Sequence, residues 1–153
     1  IEAPLGRHPT DRKRMAVLAE GRPARTDAWC VARFQVADLL RLELHSGRTH
    51  QIRVHLAHIG HPVVGDPVYG AGGSRRISGS ARLIAEAVER AAGRQALHAA
   101  SLAFKHPVTE AALEFRSEWP ADLRLALELA AGDSVSVAPD AALRYLLFFN
   151  RDG

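Results

Sequence analysis

The sequence predicts an α+β fold: a mainly antiparallel, mixed sheet with flanking helices. Three observations lead to this prediction. Short runs of alternating apolar and polar residues recur in the N-terminal third, at spacings that suit hairpins. Later segments have helical periodicity and carry their own start and stop signals. Runs of strands punctuated by only a few helices are typical of α+β domains.

The N-terminal third is predicted to contain three strands in succession. Residues 1–10 include two prolines and a glycine, which predict an extended segment and a turn. Alternation then predicts a short strand over residues 12–18 and a second over residues 24–34. Residues 40–44 alternate leucine with polar residues, as in a strand with one wet face. The short spacing between these strands predicts an antiparallel meander.

A helix with clear ends follows this region. The hydroxyl of Thr49 can accept from the unpaired N–H groups of the first turn, so we predict it as the N-cap. Gly60 is predicted to end the helix, because a left-handed residue is favoured there and Pro62 cannot continue the helix.

The faces of this helix differ in polarity. Helical spacing defines a predicted core face and, one residue earlier, a predicted polar stripe. The core face is Ile52, Leu56 and Ile59, and the polar stripe is Gln51, His55 and His58. Arg53 lies between the two faces. Its stem can therefore be anchored by packing while its guanidinium points into a cleft.

The C-terminal half is predicted to contain two further helices and two strands. Residues 71–80 are rich in Gly, Ser and Arg and are predicted to form a mobile surface loop. The predicted elements are a helix over 81–92, with Leu83, Ile84, Ala87 and Val88 on one side and Gly93 at its end, strands over 96–104 and 112–115, and a helix from Pro120 to Gly132. The apolar residues 143–149 fit either a strand or a helical turn.

Composition narrows the class of protein. The chain has 153 residues, 47% of them hydrophobic and 24% charged, as expected for one globular domain. No run approaches the roughly 20 apolar residues that span a bilayer, and no signal peptide is visible. The single Cys30 is predicted as a small buried hydrophobe in a reducing compartment. We therefore expect a cytoplasmic monomer, and the missing initiator methionine predicts further sequence upstream.

Basic residues are concentrated near the N-terminus. The net charge is only +3, but the first part of the chain carries a cluster of cations with few acids. The cluster is Arg7, Arg12, Lys13, Arg14, Arg22 and Arg25. Such clustering is typical of a phosphate-binding surface, although a solvated basic loop fits equally well.

Several kinds of catalytic site find no support in the sequence. Of the eight histidines, only His55 and His58 share a face of the central helix, and that helix has no Cys or carboxylate to complete a tetrahedral metal set. A nucleophile elbow of the Gly-x-Ser-x-Gly type and a Gly-rich phosphate loop are absent from the sequence. We predict neither a metal nor a cofactor.

One long motif carries a specific resemblance. Residues 48–56 read Arg-Thr-His-Gln-Ile-Arg-Val-His-Leu, and they are followed by Gly60-His61-Pro62, Gly65-Asp66 and Tyr69-Gly70. This run closely resembles the signature of the RluA-type RNA pseudouridine synthases. The flanks agree, with Gly-Arg-His-Pro-Thr-Asp-Arg at 6–12, Leu-His-Ala at 97–99 and Phe-Lys-His-Pro at 104–107. The resemblance covers most of the chain and is weakest in the last twenty or so residues.

The resemblance implies conversion of uridine to pseudouridine in RNA, with ribosomal RNA as the expected partner, and it implies the same α+β fold. The reaction uses a nucleophilic aspartate and a basic partner for that carboxylate, which matches Arg53. A guanidinium group suits a carboxylate, because the guanidinium can bind both carboxylate oxygens through two parallel hydrogen bonds. The predicted RNA-binding or pocket residues are Arg48, His50, Gln51, Leu97, Arg7, Arg12 and Arg14. Asp66 is predicted to cap a turn and not to be the nucleophile.

The sequence departs from the family pattern in one respect. The family's His-Arg-Leu-Asp segment, which carries the nucleophile, and its Lys-x-Tyr segment are both absent from these residues. The chain therefore looks like the C-terminal part of a catalytic domain, predicted to be inactive alone. The alternative is a non-catalytic RNA-binding remnant of such an enzyme.

Overall fold

Six β-strands and three α-helices make up the part of the chain that the computed structural model describes, residues 1–70 and 72–132. The strands are β1 (Leu5–Arg7), β2 (Met15–Val17), β3 (Thr26–Arg33), β4 (Asp38–Leu44), β5 (Ser101–Lys105) and β6 (Ala112–Arg116). The helices are α1 (Gln51–His58), α2 (Ala81–Ala92) and α3 (Ala121–Ala131), and a short 3-10 helix spans Gly73–Arg76. The predicted α+β class is confirmed.

The strands pair as three antiparallel hairpins, β1–β2, β3–β4 and β5–β6. The predicted meander is wrong, because β2 pairs with β1 and not with β3. After β2 the chain turns back across the other edge of β1, where Leu5 exchanges backbone hydrogen bonds with Arg22 at 2.9 and 2.8 Å. Glycine is required in this return, because a Cβ at Gly21 would lie 2.7 Å from the carbonyl carbon of Leu5.

The β3–β4 hairpin contains an irregularity between Cys30 and Ala32, where the pairing register shifts. Cys30 is exposed, so its prediction as a buried hydrophobe is wrong. The exposed stretch of β3 begins before this irregularity, at Ala28, and runs through Cys30. Trp29 next to it is 46% exposed and lies under the guanidinium of Arg41, 5.4 Å from its ring centroid.

The central helix α1 forms where predicted, but it buries a different face. Gln51, Val54, His55 and Leu56 are buried, whereas Ile59 is 46% exposed. The prediction that Gln51 and His55 belong to a solvent-exposed polar stripe is wrong. Sequence periodicity treats glutamine and histidine as outward-facing, but here partners from distant parts of the chain satisfy their polar atoms.

A chain of hydrogen bonds links the buried face of α1 to β3 and to the N-terminal segment. Gln51 Nε2 donates to the carbonyl of Arg25 at 2.9 Å and to Thr26 Oγ1 at 3.0 Å. Thr26 Oγ1 lies 3.0 Å from His55 Nδ1, and His55 Nε2 lies 2.9 Å from the carbonyl oxygen of Ala3. Because a carbonyl only accepts, Nε2 carries the imidazole hydrogen and Nδ1 accepts from Thr26. Burial lowers the pKa of His55, which keeps the ring neutral.

The network predicts the effect of a substitution at Gln51. Gln51→Leu removes one donor from the Arg25 carbonyl and from Thr26 Oγ1, and it removes the acceptor of the Ser46 hydroxyl, so the free energy of unfolding should fall by about 1–3 kcal/mol. Gln95→Leu is the matched control, because the side chain of Gln95 is half-buried and hydrogen-bonds to no described residue. Urea denaturation of both variants measures the difference. Equal losses for the two would contradict a special role of this network.

The ends of α1 follow the predictions in part. Gly60 has a φ of 84°, and the N–H groups of Gly60 and His61 bond back to the carbonyls of Ala57 and Leu56, so the predicted glycine stop is confirmed. The predicted Thr49 cap is wrong. The N-cap is His50, with a left-handed φ of 56° and no capping bond from its side chain.

Helices α2 and α3 pack together into a second core, formed by Val88, Ala92, Leu123 and Ala126. Gly93 ends α2 in a left-handed conformation and Pro120 precedes α3, as predicted. The predicted apolar side of α2 is partly wrong, because Leu83 is 72% exposed and the buried stripe contains Ala85, Val88 and Ala92. Small residues on α2 let the two helices approach closely.

The remaining elements need small corrections. Strand β5 begins at Ser101, so residues 96–100, including Leu97, precede the strand rather than start it. The predicted loop over 71–80 contains the 3-10 helix. Residues 143–149 lie outside the described residues. Among the helices of the described part, none has the length and apolar character needed to cross a membrane.

Candidate functional site around Arg53 and Tyr69

Arg53 and Asp66 form a bidentate ion pair. Arg53 Nε lies 2.7 Å from Asp66 Oδ2, and Nη2 lies 2.8 Å from Oδ1. The side chain of Arg53 is 11% exposed and that of Asp66 is fully buried. Oδ1 of Asp66 also accepts from the backbone N–H groups of Val68 and Tyr69, at 2.9 and 3.0 Å. The prediction that Asp66 caps a turn is confirmed, and the same carboxylate additionally holds Arg53.

The loop after α1 places this carboxylate beneath the helix. Gly65 has a φ of 68°, and a Cβ there would collide with the carbonyl oxygen of Arg94, so only glycine fits this turn. Arg53 projects from the middle of α1, and the loop returns Asp66 to it within thirteen residues of sequence. On its other side Asp66 lines an open cleft of about 540 Å³ between this loop and α2, where the charges of Arg75 and Arg90 are balanced by Glu86 and Glu89.

The environment of Asp66 keeps it ionised. Burial on its own raises the pKa of Asp66, but the hydrogen bonds from Arg53 and from the Tyr69 and Val68 N–H groups outweigh it and bring the pKa to about 2. The same pairing raises the pKa of Arg53, against the opposing effect of its burial. The pair is therefore fully charged at neutral pH.

This shift predicts how stability depends on pH. The pKa of Asp66 is lower in the folded state than the roughly 3.9 of an unfolded aspartate. The stabilisation is therefore fully present above about pH 4, and is lost as the pH falls from there through about 2. Urea denaturation of the wild-type chain and of Asp66→Asn between pH 7 and pH 2 checks this. The two free energies of unfolding should converge in that acidic window, and a constant difference would contradict the assignment.

Tyr69 is the common neighbour of the site. Its side chain is buried, and the guanidinium carbons of Arg53 and Arg14 lie 4.9 and 5.4 Å from its ring centroid. The backbone N–H of Met15 donates to its hydroxyl at 2.9 Å, and His50 Nδ1 lies 2.9 Å from the same oxygen. One phenol therefore joins β2, the start of α1 and the loop after α1.

Arg53 keeps part of its guanidinium available. Nε and Nη2 are occupied by Asp66, whereas Nη1 hydrogen-bonds to no residue within 1–70 or 72–132. The Tyr69 ring and the Asp66 carboxylate fix the plane of the guanidinium between them. The free edge is therefore a preoriented donor for a second anion.

The structure brings together three of the sequence-predicted residues, Arg14, His50 and Arg53, around Tyr69. Arg14 Nε is buried without a hydrogen-bond partner among the described residues. Arg7 and Arg12 share the turn between β1 and β2, where Arg7 Nη1 donates to the carbonyl of Arg12 at 3.1 Å. Both are exposed, which suits contact with a polyanion.

Three other predicted residues lie apart from this cluster. Arg48 is exposed and its Nε contacts the carbonyl of Pro23 at 3.4 Å. Gln51 is buried and fully engaged within the fold, so the prediction that it contacts substrate is corrected to a structural role. Leu97 is half-buried, and its carbonyl accepts from Arg94 Nη1. The half-buried apolar residues that pack against the core cluster of Tyr69 are Met15, Val17 and Ala57.

The roles of Tyr69 and of the Arg53–Asp66 pair are not predicted from the sequence. The signal available was the Gly65-Asp66 and Tyr69-Gly70 pattern, which places a carboxylate and an aromatic ring three residues apart in a turn. Periodicity does not reveal such a pairing, because the partners lie on different elements.

Sequence comparisons identify relatives over most of the chain. The chain is 44% identical over 133 residues to Escherichia coli K12 "Ribosomal large subunit pseudouridine synthase D". It is 47% identical over 128 residues to a protein of that name from Nitrosomonas europaea, and equally to an "Uncharacterized RNA pseudouridine synthase" from Chloroflexus aurantiacus. These matches cover 83% to 87% of this chain but only 35% to 40% of the relatives. No protein-family model matches the chain.

The fold has a counterpart among solved structures. "Human RNA Pseudouridylate Synthase Domain Containing 1" superimposes with a TM-score of 0.59 at 26% sequence identity. The match covers 82% of this chain and 51% of the human one. This chain therefore spans about half of that structure, and less than half of the three sequence relatives.

Proposed function

Because the chain is homologous to RNA pseudouridine synthases over most of its length, we propose that it is part of the catalytic domain of such an enzyme. The proposed reaction is the isomerisation of uridine to pseudouridine in ribosomal RNA. In it the C1′–N1 bond of uridine breaks, a C1′–C5 bond forms, C5 loses a proton and N1 gains one. No redox step or cofactor is required. The proposed setting is the cytoplasm, with the enzyme acting as a monomer and without a metal.

The observation that carries this proposal is that Asp66 binds only Nε and Nη2 of the Arg53 guanidinium. Asp66 and Tyr69 hold one edge and one face of it, and Nη1 stays available. We assign that free edge to the nucleophilic aspartate, which the family resemblance implies and which lies outside these residues. A charged N–H donor would keep that carboxylate ionised and direct one oxygen at C1′.

Basic residues around this edge would hold the RNA. Arg14 shares the Tyr69 ring with Arg53, and the exposed Arg7 and Arg12 extend positive charge along the β1–β2 turn. Arg48 adds an exposed cation before α1. Such residues bind phosphates without reading the base sequence. Leu97 stays a proposed apolar wall of the base pocket.

The exposed hairpins support the view that the domain continues beyond this chain. Isolated two-stranded sheets are marginal in water, yet the described residues contain three of them. On β5–β6, Leu102, Phe104 and Phe115 are 58%, 44% and 55% exposed, and the two phenyl rings stack at 6.0 Å. An apolar strand face of this kind needs a covering layer. The longer relatives carry additional polypeptide that could provide it.

A chimeric enzyme tests the function. The segment of this chain that matches the E. coli relative replaces the corresponding segment there, and the purified chimera is incubated with E. coli large-subunit ribosomal RNA. Pseudouridine is mapped by carbodiimide labelling. We expect new pseudouridine with the chimera and none with the 153-residue chain alone.

Two outcomes would count against this assignment. Pseudouridine formed by the chain alone would mean that it contains its own nucleophile. A folded chimera that binds the RNA but leaves uridine unchanged would favour the alternative, a non-catalytic RNA-binding remnant. Circular dichroism and thermal unfolding of the chimera separate that result from simple misfolding.

A further inference from the structure

His50 is held in an unusual backbone conformation directly before α1. Its φ of 56° and ψ of 19° lie in the left-handed region, which few non-glycine residues occupy. Its ring meets the Tyr69 ring edge-on, with centroids 5.6 Å apart and planes at 75°. This conformation sends the side chain back to Tyr69, on the same ring that Arg53 contacts. A strained residue held by specific contacts is a candidate for function.

The hydrogen bonds at Tyr69 define which imidazole nitrogen carries the hydrogen. The Tyr69 oxygen already accepts from the N–H of Met15, and its own buried O–H needs an acceptor. Among the described residues, His50 Nδ1 at 2.9 Å is the acceptor in reach. Nδ1 is then unprotonated and the hydrogen sits on Nε2. Nε2 has no partner among the described residues, so it points a donor away from Tyr69.

The surrounding charges favour the neutral ring. Burial lowers the pKa of His50, and the nearby Arg53 cation adds to this effect, while Asp66 opposes it. Arg14, on the Tyr69 ring, is a further cation in this cluster. A phosphate is best bound by positively charged side chains, and the arginines of this cluster already supply that charge. A neutral histidine would add none. A neutral N–H donor instead suits a neutral acceptor such as a base carbonyl.

We propose that His50 donates its Nε2–H to a carbonyl oxygen of the target pyrimidine bound beside Arg53, and that Tyr69 is the positioning residue that fixes this tautomer. The inference rests on the proposed function, because it needs a base in the site. His50 and Arg53 would then divide the work. Arg53 holds the carboxylate that attacks the sugar, and His50 orients the base.

The tautomer is tested first, on the chain itself. Two-bond ¹H–¹⁵N correlation spectra of the ¹⁵N-histidine-labelled chain at pH 7 distinguish the two neutral tautomers from the charged ring, with His50→Asn identifying the resonance. We expect Nε2 protonated and Nδ1 bare in the wild-type chain, and a mixture of tautomers in Tyr69→Phe. A charged ring or an Nδ1–H tautomer in the wild-type chain would overturn the proposal. This result does not depend on activity, so it is separable from failure of the proposed function.

Kinetics of the chimera test the contact with substrate. His50→Gly removes the ring without straining the left-handed backbone, and His50→Asn keeps an N–H donor in a residue that tolerates it. We expect kcat/KM to fall about tenfold for His50→Gly, as for the removal of one hydrogen bond, and to recover in part for His50→Asn. Tyr69→Phe should lower kcat/KM in the same direction. Unchanged kcat/KM for His50→Gly in an active chimera would sink the proposal.

Salt dependence separates binding to a base from binding to a phosphate. Removing a side chain that neutralises one phosphate reduces the slope of log affinity against log salt by about one. His50→Gly should leave that slope unchanged, while Arg12→Ala, at an exposed arginine of the β1–β2 turn, should reduce it. A reduced slope for His50→Gly would assign His50 to a phosphate and overturn the base assignment. An inactive wild-type chimera would instead count against the proposed function.

Discussion

Arg53→Met in the chimera is expected to lower kcat by about 10²–10³-fold, the usual cost of removing one preorganised charge-stabilising donor from an active site. The methionine stem fills a similar space but cannot hold a carboxylate. Arg53→Lys should lose most of the activity as well, because an ammonium group cannot contact Asp66 and a second carboxylate through one planar fork. Single-turnover rates on ribosomal RNA, with pseudouridine mapped by carbodiimide, measure the effect.

A structural explanation of this loss can be separated from a catalytic one. Arg53→Met alone leaves the Asp66 carboxylate buried and unpaired, which also destabilises the fold. In the double variant Arg53→Met, Asp66→Asn the asparagine oxygen still accepts from the N–H groups of Val68 and Tyr69, and no buried charge remains. The double variant should regain stability and stay inactive. Recovery of activity along with stability would show that Arg53 only supports the fold.

Asp66→Ala is expected to destabilise the chain by about 3–5 kcal/mol, because it leaves a largely buried guanidinium without its carboxylate. The N–H groups of Val68 and Tyr69 also lose their acceptor, so the turn that carries Tyr69 loosens. Urea denaturation at pH 7 measures the loss. Since Tyr69 contacts His50 and Arg53, we also expect a weaker tautomer preference at His50 in this variant.

The chain offers a matched control for this prediction. Arg94 and Asp122 make a pair with the same two-pronged geometry, with Nε–Oδ2 and Nη2–Oδ1 distances of 2.7 and 3.2 Å. Their side chains are 39% and 57% exposed, so solvent screens the interaction. Asp122→Ala should change stability little. Similar losses for Asp66→Ala and Asp122→Ala would mean that burial does not strengthen the Arg53 pair.

Local signals in the sequence predicted the positions of the three helices, although they did not predict the N-cap of α1. Gly60 and Gly93 end α1 and α2 in left-handed conformations, and Pro120 precedes α3. These residues act through backbone sterics within one turn, so they work in the same way in any fold. Alternation of apolar and polar residues predicted β3 and β4, because a half-buried strand buries every second side chain. The motif around Arg53 likewise gave the resemblance to RNA pseudouridine synthases from residues adjacent in sequence, and the chain is 44% to 47% identical to relatives of that name.

Only the tertiary structure decided which polar groups are buried and which cations are paired. Gln51 and His55 belong to the core because Thr26, Arg25 and Ala3 satisfy them from 25 to 52 residues away. Arg53 is paired because the loop after α1 brings Asp66 back to its guanidinium. Tyr69 contacts both Arg53 and His50. The physical reason is the cost of burying a polar group. That cost depends on whether a partner is present, and the partner here comes from a distant part of the chain.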